Sequence, residues 1–189
     1  MTSHPDKSEL RARLRGLRRS LAAGRPDAGR QAAELLPLER LPTFAVVSGY
    51  QPMGSEIDPR PLMLRLARAG ARTALPVAIH RDEALAFRAW APGEPLEPDA
   101  FGIPAPPASA PLMTPDLVIA PLLAFDARGN RLGQGAGHYD RTLANLRRLG
   151  AVFVLGLAYA GQEVAELPAE AHDEGLDAIL TETAYIAVR

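Results

Sequence analysis

Glycines at alternating positions carry the clearest chemistry in this chain. Arg131 to Arg141 reads RLGQGAGHYDR. Gly133, Gly135 and Gly137 lack a Cβ, so their backbone N–H groups can approach an anion closely and can adopt positive φ. His138, Tyr139, Asp140 and Arg141 are predicted to open a helix, whose first N–H groups are unpaired and whose dipole favours negative charge. The combination suits a phosphate cradle. It equally suits a tight turn between a hairpin and a helix, and glycines alone do not separate the two. No Lys-Ser or Lys-Thr pair follows the last glycine, so this is not a Walker A loop, and the spacing is a poor match to the dinucleotide fingerprint. Asp140 is a candidate magnesium ligand, because magnesium at nucleotides takes one or two carboxylates beside phosphate oxygens and waters. The alternative is a first-turn acid that complements the helix dipole. Arg131 and Arg141 either clamp phosphate or stand as surface charges.

Two further groups have suggestive positions. Lys7 and Arg11 are four residues apart in a helical pattern, so they share one face and can hold a polyphosphate, or form a solvated face of an arginine-rich helix. The segment GYQPMGSEID places Glu56 beyond the first predicted strand, on the side where open α/β sheets bind ligands. A carboxylate there either accepts hydrogen bonds from an aminopyrimidine-like ring or faces solvent in a loop. His4, His80, His138 and His172 show no metal-ligand spacing and no triad can be built from them.

The elements that must position these groups follow from periodicity. Leu10, Leu14, Leu17 and Leu21 recur at helical spacing over residues 6–23. A second helix follows Pro26 and ends before Pro37. Asp58 followed by Pro59 starts another helix, with Leu62, Met63 and Leu66 as its buried face and Gly70 as its stop. Strands are predicted at 44–49, 72–77, 84–90, 116–120, 152–157, 176–180 and 185–188, and a helix follows the glycine loop to Leu149. The proline-rich stretch between Pro92 and Pro115 reads as an ordered surface loop. Strands alternating with helices make a single α/β domain over residues 1–189, with a mainly parallel sheet flanked by helices.

Composition bounds the function. The chain has 189 residues, 47% of them hydrophobic, and a formal net charge of −1, which argues against a dedicated nucleic-acid binder. Only 5% of residues are aromatic, so a base-stacking platform is not expected. No apolar run spans a membrane, and the first 20 residues lack the apolar core of a secretory signal. With no cysteine there is no disulfide, thiolate nucleophile or cysteine-based zinc site. The expectation is a cytoplasmic monomer.

These pieces, in their order, resemble the 5-formyltetrahydrofolate cyclo-ligase family across nearly the whole chain. The resemblance rests on Lys7 and Arg11, on YQPMGSEID, on GIPAP at 102–106, on PDLVIAP at 115–121, on the glycine loop, and on HDEGLDAILTE near the end. The glycine loop is the specific string. The resemblance implies a Rossmann-like fold of the kind shared by sugar-phosphate isomerases and CoA-transferases. It implies an ATP-dependent, magnesium-assisted conversion of 5-formyltetrahydrofolate to 5,10-methenyltetrahydrofolate. By position, Lys7, Arg11 and Arg131 would hold ATP phosphates, and Gly133, Gln134, Gly135, Ala136, Gly137, His138 and Tyr139 would line the junction of ATP and folate. Gln51 and Glu56 would hold the folate with Gln134, His138 and Tyr139. Arg131 and Tyr139 would serve catalysis, and Asp140 and Asp177 would bind magnesium. Gln134, Ala136 and His138 depart from the commonest form of the loop, where a charged or aromatic residue, a glycine and an aromatic residue stand. Three other readings compete: a sugar-phosphate isomerase or CoA-transferase relative that needs no ATP, a non-catalytic ligand-binding or regulatory protein on the same fold, and a nucleic-acid binder acting through the first helix.

Overall fold

A computed structural model describes residues 7–168, 170 and 172–188, with the Lys7 side chain outside the described part. The chain begins with helix α1 (Lys7–Gly24), followed by α2 (Ala28–Leu35) and strand β1 (Val46–Ser48). Helix α3 (Arg60–Arg68) starts where Asp58 Oδ1 accepts the Arg60 N–H at 2.9 Å, so Asp58 satisfies one of the unpaired donors of the first turn. Gly70, at φ +103°, turns the chain out of α3 into β2 (Arg72–Val77). β3 (Ala86–Ala89) then runs back beside β2.

The proline-rich stretch is ordered, as expected, and holds a small antiparallel pair, β4 (Glu97–Pro98) and β5 (Pro104–Ala105). Asp99 organises its turn: Oδ1 accepts the N–H groups of Phe101 and Ile103 at 2.8 and 2.9 Å. β6 (Leu117–Pro121) leads into a hairpin of β7 (Ala124–Phe125) and β8 (Arg131–Leu132). After the glycine loop come α4 (His138–Leu149), β9 (Phe153–Leu157), β10 (Ala178–Leu180) and β11 (Tyr185–Ala187).

Seven strands form one sheet in the order β11-β10-β9-β6-β1-β2-β3. The five inner strands are parallel and both edge strands are antiparallel. Strand periodicity sends alternate side chains to opposite faces. Leu117 and Ile119 join the core under α2 and α3, whereas Val118 and Ala120 join the core under α4. Leu62 and Leu66 of α3 are fully buried there, each contributing about 1.5–3 kcal/mol by removal from water. Gly49 lets α3 come close to the end of β1, since a Cβ at that position would fall 2.1 Å from Met63 Sδ.

One detail of α1 departs from its leucine stripe. Leu17 is 39% exposed, while Arg18 is only 4% exposed. Leu14 packs against the β7–β8 hairpin, so the buried face runs through positions 14, 18 and 21. Arg18 occupies it because its charge is met by a carboxylate across the interface. Among the described residues, no helix is long and apolar enough to cross a membrane.

Candidate active site

The chain leaves β1 toward β2 on one side, while β6 lies on the other. Connections part at such a point, and a crevice opens beyond the carboxyl ends of the strands. Here the crevice has a volume of about 830 Å³ and is walled by the loop after β1, the end of β6, the glycine loop and Arg11 of α1. Asp99, Phe101 and Ile103 of the proline-rich segment close another side.

One end is built to receive anions. Gly135 and Gly137 have φ of +102° and +69°, and Gly137 stands at the N-terminus of α4. Arg11 Nε donates to the Gly133 carbonyl at 3.2 Å, which ties the loop to α1. Arg131 extends from β8 with 4% of its side chain exposed; its Nη2 donates to Asp140 Oδ1 at 2.6 Å, and its guanidinium carbon lies 5.7 Å from the Tyr139 ring centre. Arg141 Nη2 donates to the carbonyls of Ala136 at 2.8 Å and Arg81 at 3.2 Å. The buried Nε atoms of Arg131 and Arg141 have no hydrogen-bond partner among the described residues. Buried donors left unpaired are costly. Arg131 lines the crevice beside the glycine loop and the helix N-terminus, an arrangement that fits a polyphosphate, whereas Arg141 braces the loop from outside the crevice.

The other end presents an acceptor. Glu56 Oε2 accepts the Met53 N–H at 2.9 Å, and Oε1 accepts from Arg18 Nη1 at 3.2 Å. The Glu56 side chain is 7% exposed, so it is a positioned carboxylate rather than a solvated loop residue. Gln51 lines the same wall. Burial, reinforced by the Glu56 charge and opposed by Arg131, pushes the Tyr139 phenol well up. Burial and then Glu56 do the same to Tyr50, whose hydroxyl donates to the Ile57 carbonyl at 2.6 Å. Both phenols are therefore neutral hydrogen-bond donors at neutral pH.

The three departures in the loop are accommodated. Among the described residues no non-glycine position has positive φ, so the methyl of Ala136 meets no backbone penalty. Gln134 lines the crevice. His138 Nδ1 lies 3.1 Å from the Glu83 carbonyl oxygen, so Nδ1 carries the hydrogen. Its ring faces Phe101 with centres 6.4 Å apart and planes inclined by 56°, so aromatic surface reaches this wall from the proline-rich segment.

Of the expected site residues, the structure brings Arg11, Gln51, Glu56, Arg131 and the loop from Gly133 to Asp140 onto one crevice. The Lys7 side chain lies outside the described residues. Asp177 is a correction. It stands one residue before β10, at the amino end of the parallel strands, whereas the crevice lies at their carboxyl ends. Its Oδ2 accepts the Val154 N–H at 2.8 Å and sits 3.6 Å from Arg147, so it ties β9, β10 and α4 together instead of joining Asp140. Asp140 itself is engaged by Arg131 and by the Glu174 N–H at 3.2 Å. Among the described residues no group of three or more metal-binding side chains converges. Sequence reasoning also missed Arg18, whose signal was its seven-residue spacing from Arg11, and Phe101, for which no local signal exists.

Fold and crevice together define an α/β protein whose crevice joins a glycine loop and a buried arginine to a buried carboxylate. The sequence model of the 5-formyltetrahydrofolate cyclo-ligase family matches residues 3–182, and the chain belongs to that family. A 5-formyltetrahydrofolate cyclo-ligase of Haemophilus influenzae is 33% identical over 185 residues, covering 92% of this chain and 96% of that protein. The Escherichia coli K12 protein of the same name is 37% identical over 165 residues, covering 82% and 88%. The solved structure of Aquifex aeolicus 5,10-methenyltetrahydrofolate synthetase superposes with a TM-score of 0.73 at 27% identity, covering 97% of this chain and 93% of that one. A Mycoplasma pneumoniae 5,10-methenyltetrahydrofolate synthetase shares the fold at a TM-score of 0.72 and 22% identity, covering 94% and 99%.

Proposed function

We propose that this chain converts 5-formyltetrahydrofolate to 5,10-methenyltetrahydrofolate, with ATP converted to ADP and phosphate. The observation that carries the reading is the pairing, in one crevice, of the buried Arg131 guanidinium, with its unpartnered Nε, at a glycine loop with the buried Glu56 carboxylate. ATP phosphates lie along Gly133 to Gly137 and meet Arg11, Arg131 and the amino end of α4, with Lys7 as a further cation. Folate lies against Glu56, Gln51, Gln134, His138 and Tyr139. The Glu56 carboxylate accepts hydrogen bonds from the amino and ring N–H groups of the pterin.

The reaction needs no protein nucleophile. The formyl oxygen attacks the γ-phosphorus, a new O–P bond forms, and the bond to the β-phosphate oxygen breaks to release ADP. The bridge nitrogen then attacks the activated formyl carbon, phosphate leaves with the former formyl oxygen, and the nitrogen's proton passes to solvent. The protein contributes positioning and charge. Arg131 and the neutral Tyr139 phenol act as donors toward the charge that develops, each worth roughly 3 kcal/mol when well placed. Magnesium, held by Asp140 together with phosphate oxygens, would supply further charge neutralisation. The reaction belongs to the cytoplasm, where ATP is abundant, and one crevice built from one chain needs only a monomer.

Purified protein with Mg-ATP and 5-formyltetrahydrofolate is expected to develop the near-ultraviolet absorbance of the conjugated methenyl product, with ADP appearing in step. Omitting ATP, or chelating magnesium, should abolish the signal at neutral pH. Cyclisation without ATP, or steady ATP hydrolysis without folate, contradicts the proposal.

A further inference from the structure

We propose that Arg18 is a positioning residue: from behind the crevice wall it holds the Glu56 carboxylate in the orientation that receives the folate. The inference rests on the folate role given to Glu56 above. Arg18 is 4% exposed and does not itself line the crevice. Its Nη1 donates to Glu56 Oε1 at 3.2 Å and to the Leu122 carbonyl at 3.3 Å, while Nε donates to Ser55 Oγ at 3.2 Å. Ser55 and Glu56 belong to the loop after β1, and Leu122 follows β6. One guanidinium thus ties together the two loops that part to form the crevice.

The chemistry argues for purpose beyond stability. A buried ion pair is a weak stabilising device, and apolar side chains of similar volume often serve a core as well or better. Arg18 stands in a face that otherwise buries Leu14 and packs Leu21, so an apolar residue would fit the helix pattern. A planar guanidinium, however, fixes direction as well as charge. Both Glu56 oxygens act as acceptors here, one toward Arg18 and one toward the Met53 N–H. Each oxygen keeps further lone-pair capacity, which the ligand's N–H donors can use. Without the cation, the carboxylate keeps only the Met53 N–H as a fixed partner and is free to change rotamer. Arg11 and Arg18 lie seven residues apart on α1, so this one helix contacts the glycine loop at one point and the folate wall at the other.

The test compares Arg18→Met, Arg18→Lys, Glu56→Gln and the double variant Arg18→Met/Glu56→Gln. Steady-state kinetics are measured with each substrate varied, and thermal melts are recorded. Arg18→Met is expected to raise the KM for 5-formyltetrahydrofolate about tenfold or more while the KM for ATP changes less than about threefold. Arg18→Lys keeps the charge but loses the fork, and should recover part of the loss. The double variant should be little worse than Glu56→Gln alone, because Arg18 acts through Glu56. Additive losses, or equal rises in both KM values for Arg18→Met, overturn the proposal. If Arg18→Met does not fold, the Arg18→Lys split decides by the same criterion. Glu56→Gln weakening ATP as much as folate marks failure of the folate role itself. A folate-selective Glu56→Gln beside an unselective Arg18 variant marks failure of this inference alone.

Discussion

Gly137 takes φ +69° at the amino end of α4, and a Cβ there would fall 2.6 Å from Arg141 Nη1. Left-handed backbone costs a residue with a Cβ about 1–2 kcal/mol. Ala136, one residue earlier, has no such constraint. The two positions therefore separate backbone conformation from mere loop composition. Gly137→Ala should displace Arg141 and the first N–H groups of α4, raising the KM for ATP about tenfold or more, with a smaller change for folate. Ala136→Gly should leave both within about twofold, since it removes a methyl group that nothing requires. Initial-rate kinetics with each substrate varied check both; equal effects of the two substitutions would remove Gly137 from the phosphate cradle.

At the scale of elements, the β7–β8 hairpin decides where Arg131 points, and Asp126 holds its turn. Asp126 is 1% exposed. Its Oδ1 accepts the N–H groups of Arg128 and Asn130, both at 3.0 Å, and its Oδ2 accepts Asn130 Nδ2 at 2.9 Å and the Leu167 N–H at 3.0 Å. Burial works to raise this carboxyl's pKa, but the bonds from Asn130, Leu167 and Arg128 outweigh it, and the net direction is down from 3.8. A depressed carboxylate stabilises the fold above its unfolded pKa and loses that contribution as pH falls through the lower folded value. Asp126→Asn replaces acceptor lone pairs with donors that face Asn130 Nδ2 or the Leu167 N–H, and should cost about 2 kcal/mol at neutral pH. That gap should stay constant from pH 8 to 5 and close below about pH 4, as the wild-type carboxyl takes up its proton. Urea melts across this range measure it; a gap that widens in acid contradicts the assignment.

At the scale of the whole molecule, one crevice collects α1, the loop after β1, the end of β6, the glycine loop and the proline-rich segment. A ligand there bridges both halves of the sheet and binds only the folded chain. At 100-fold over Kd, such binding adds about 2.7 kcal/mol, which raises Tm by roughly 5–10 °C for a chain of this length. A non-hydrolysable ATP analogue with magnesium and 5-formyltetrahydrofolate should each produce a shift in scanning fluorimetry, and together a larger one. Folate that stabilises Glu56→Gln as well as the wild type would place its binding elsewhere.

Local chemistry was legible in the residues themselves. Gly135 and Gly137 at positive φ, the Asp58 start of α3, the apolar runs of β6 and β9, and the leucine face of α3 are dictated by sterics and by hydrophobic burial over a few neighbouring positions, and the α/β class follows from the alternation of strands and helices. The antiparallel edges, the placement of Phe101 beside His138, the burial of Arg18 against Glu56 and the position of Asp177 on the far edge of the sheet were not legible. Each depends on which strands pair and on which segments, up to 104 residues apart in the case of Arg18 and Leu122, share one space. A sequence carries the charge and shape of Arg18, but only the packed interface supplies the carboxylate that makes its burial tolerable; a sequence carries the acid at Asp177, but the direction of β10 decides that it faces Arg147 and not the crevice.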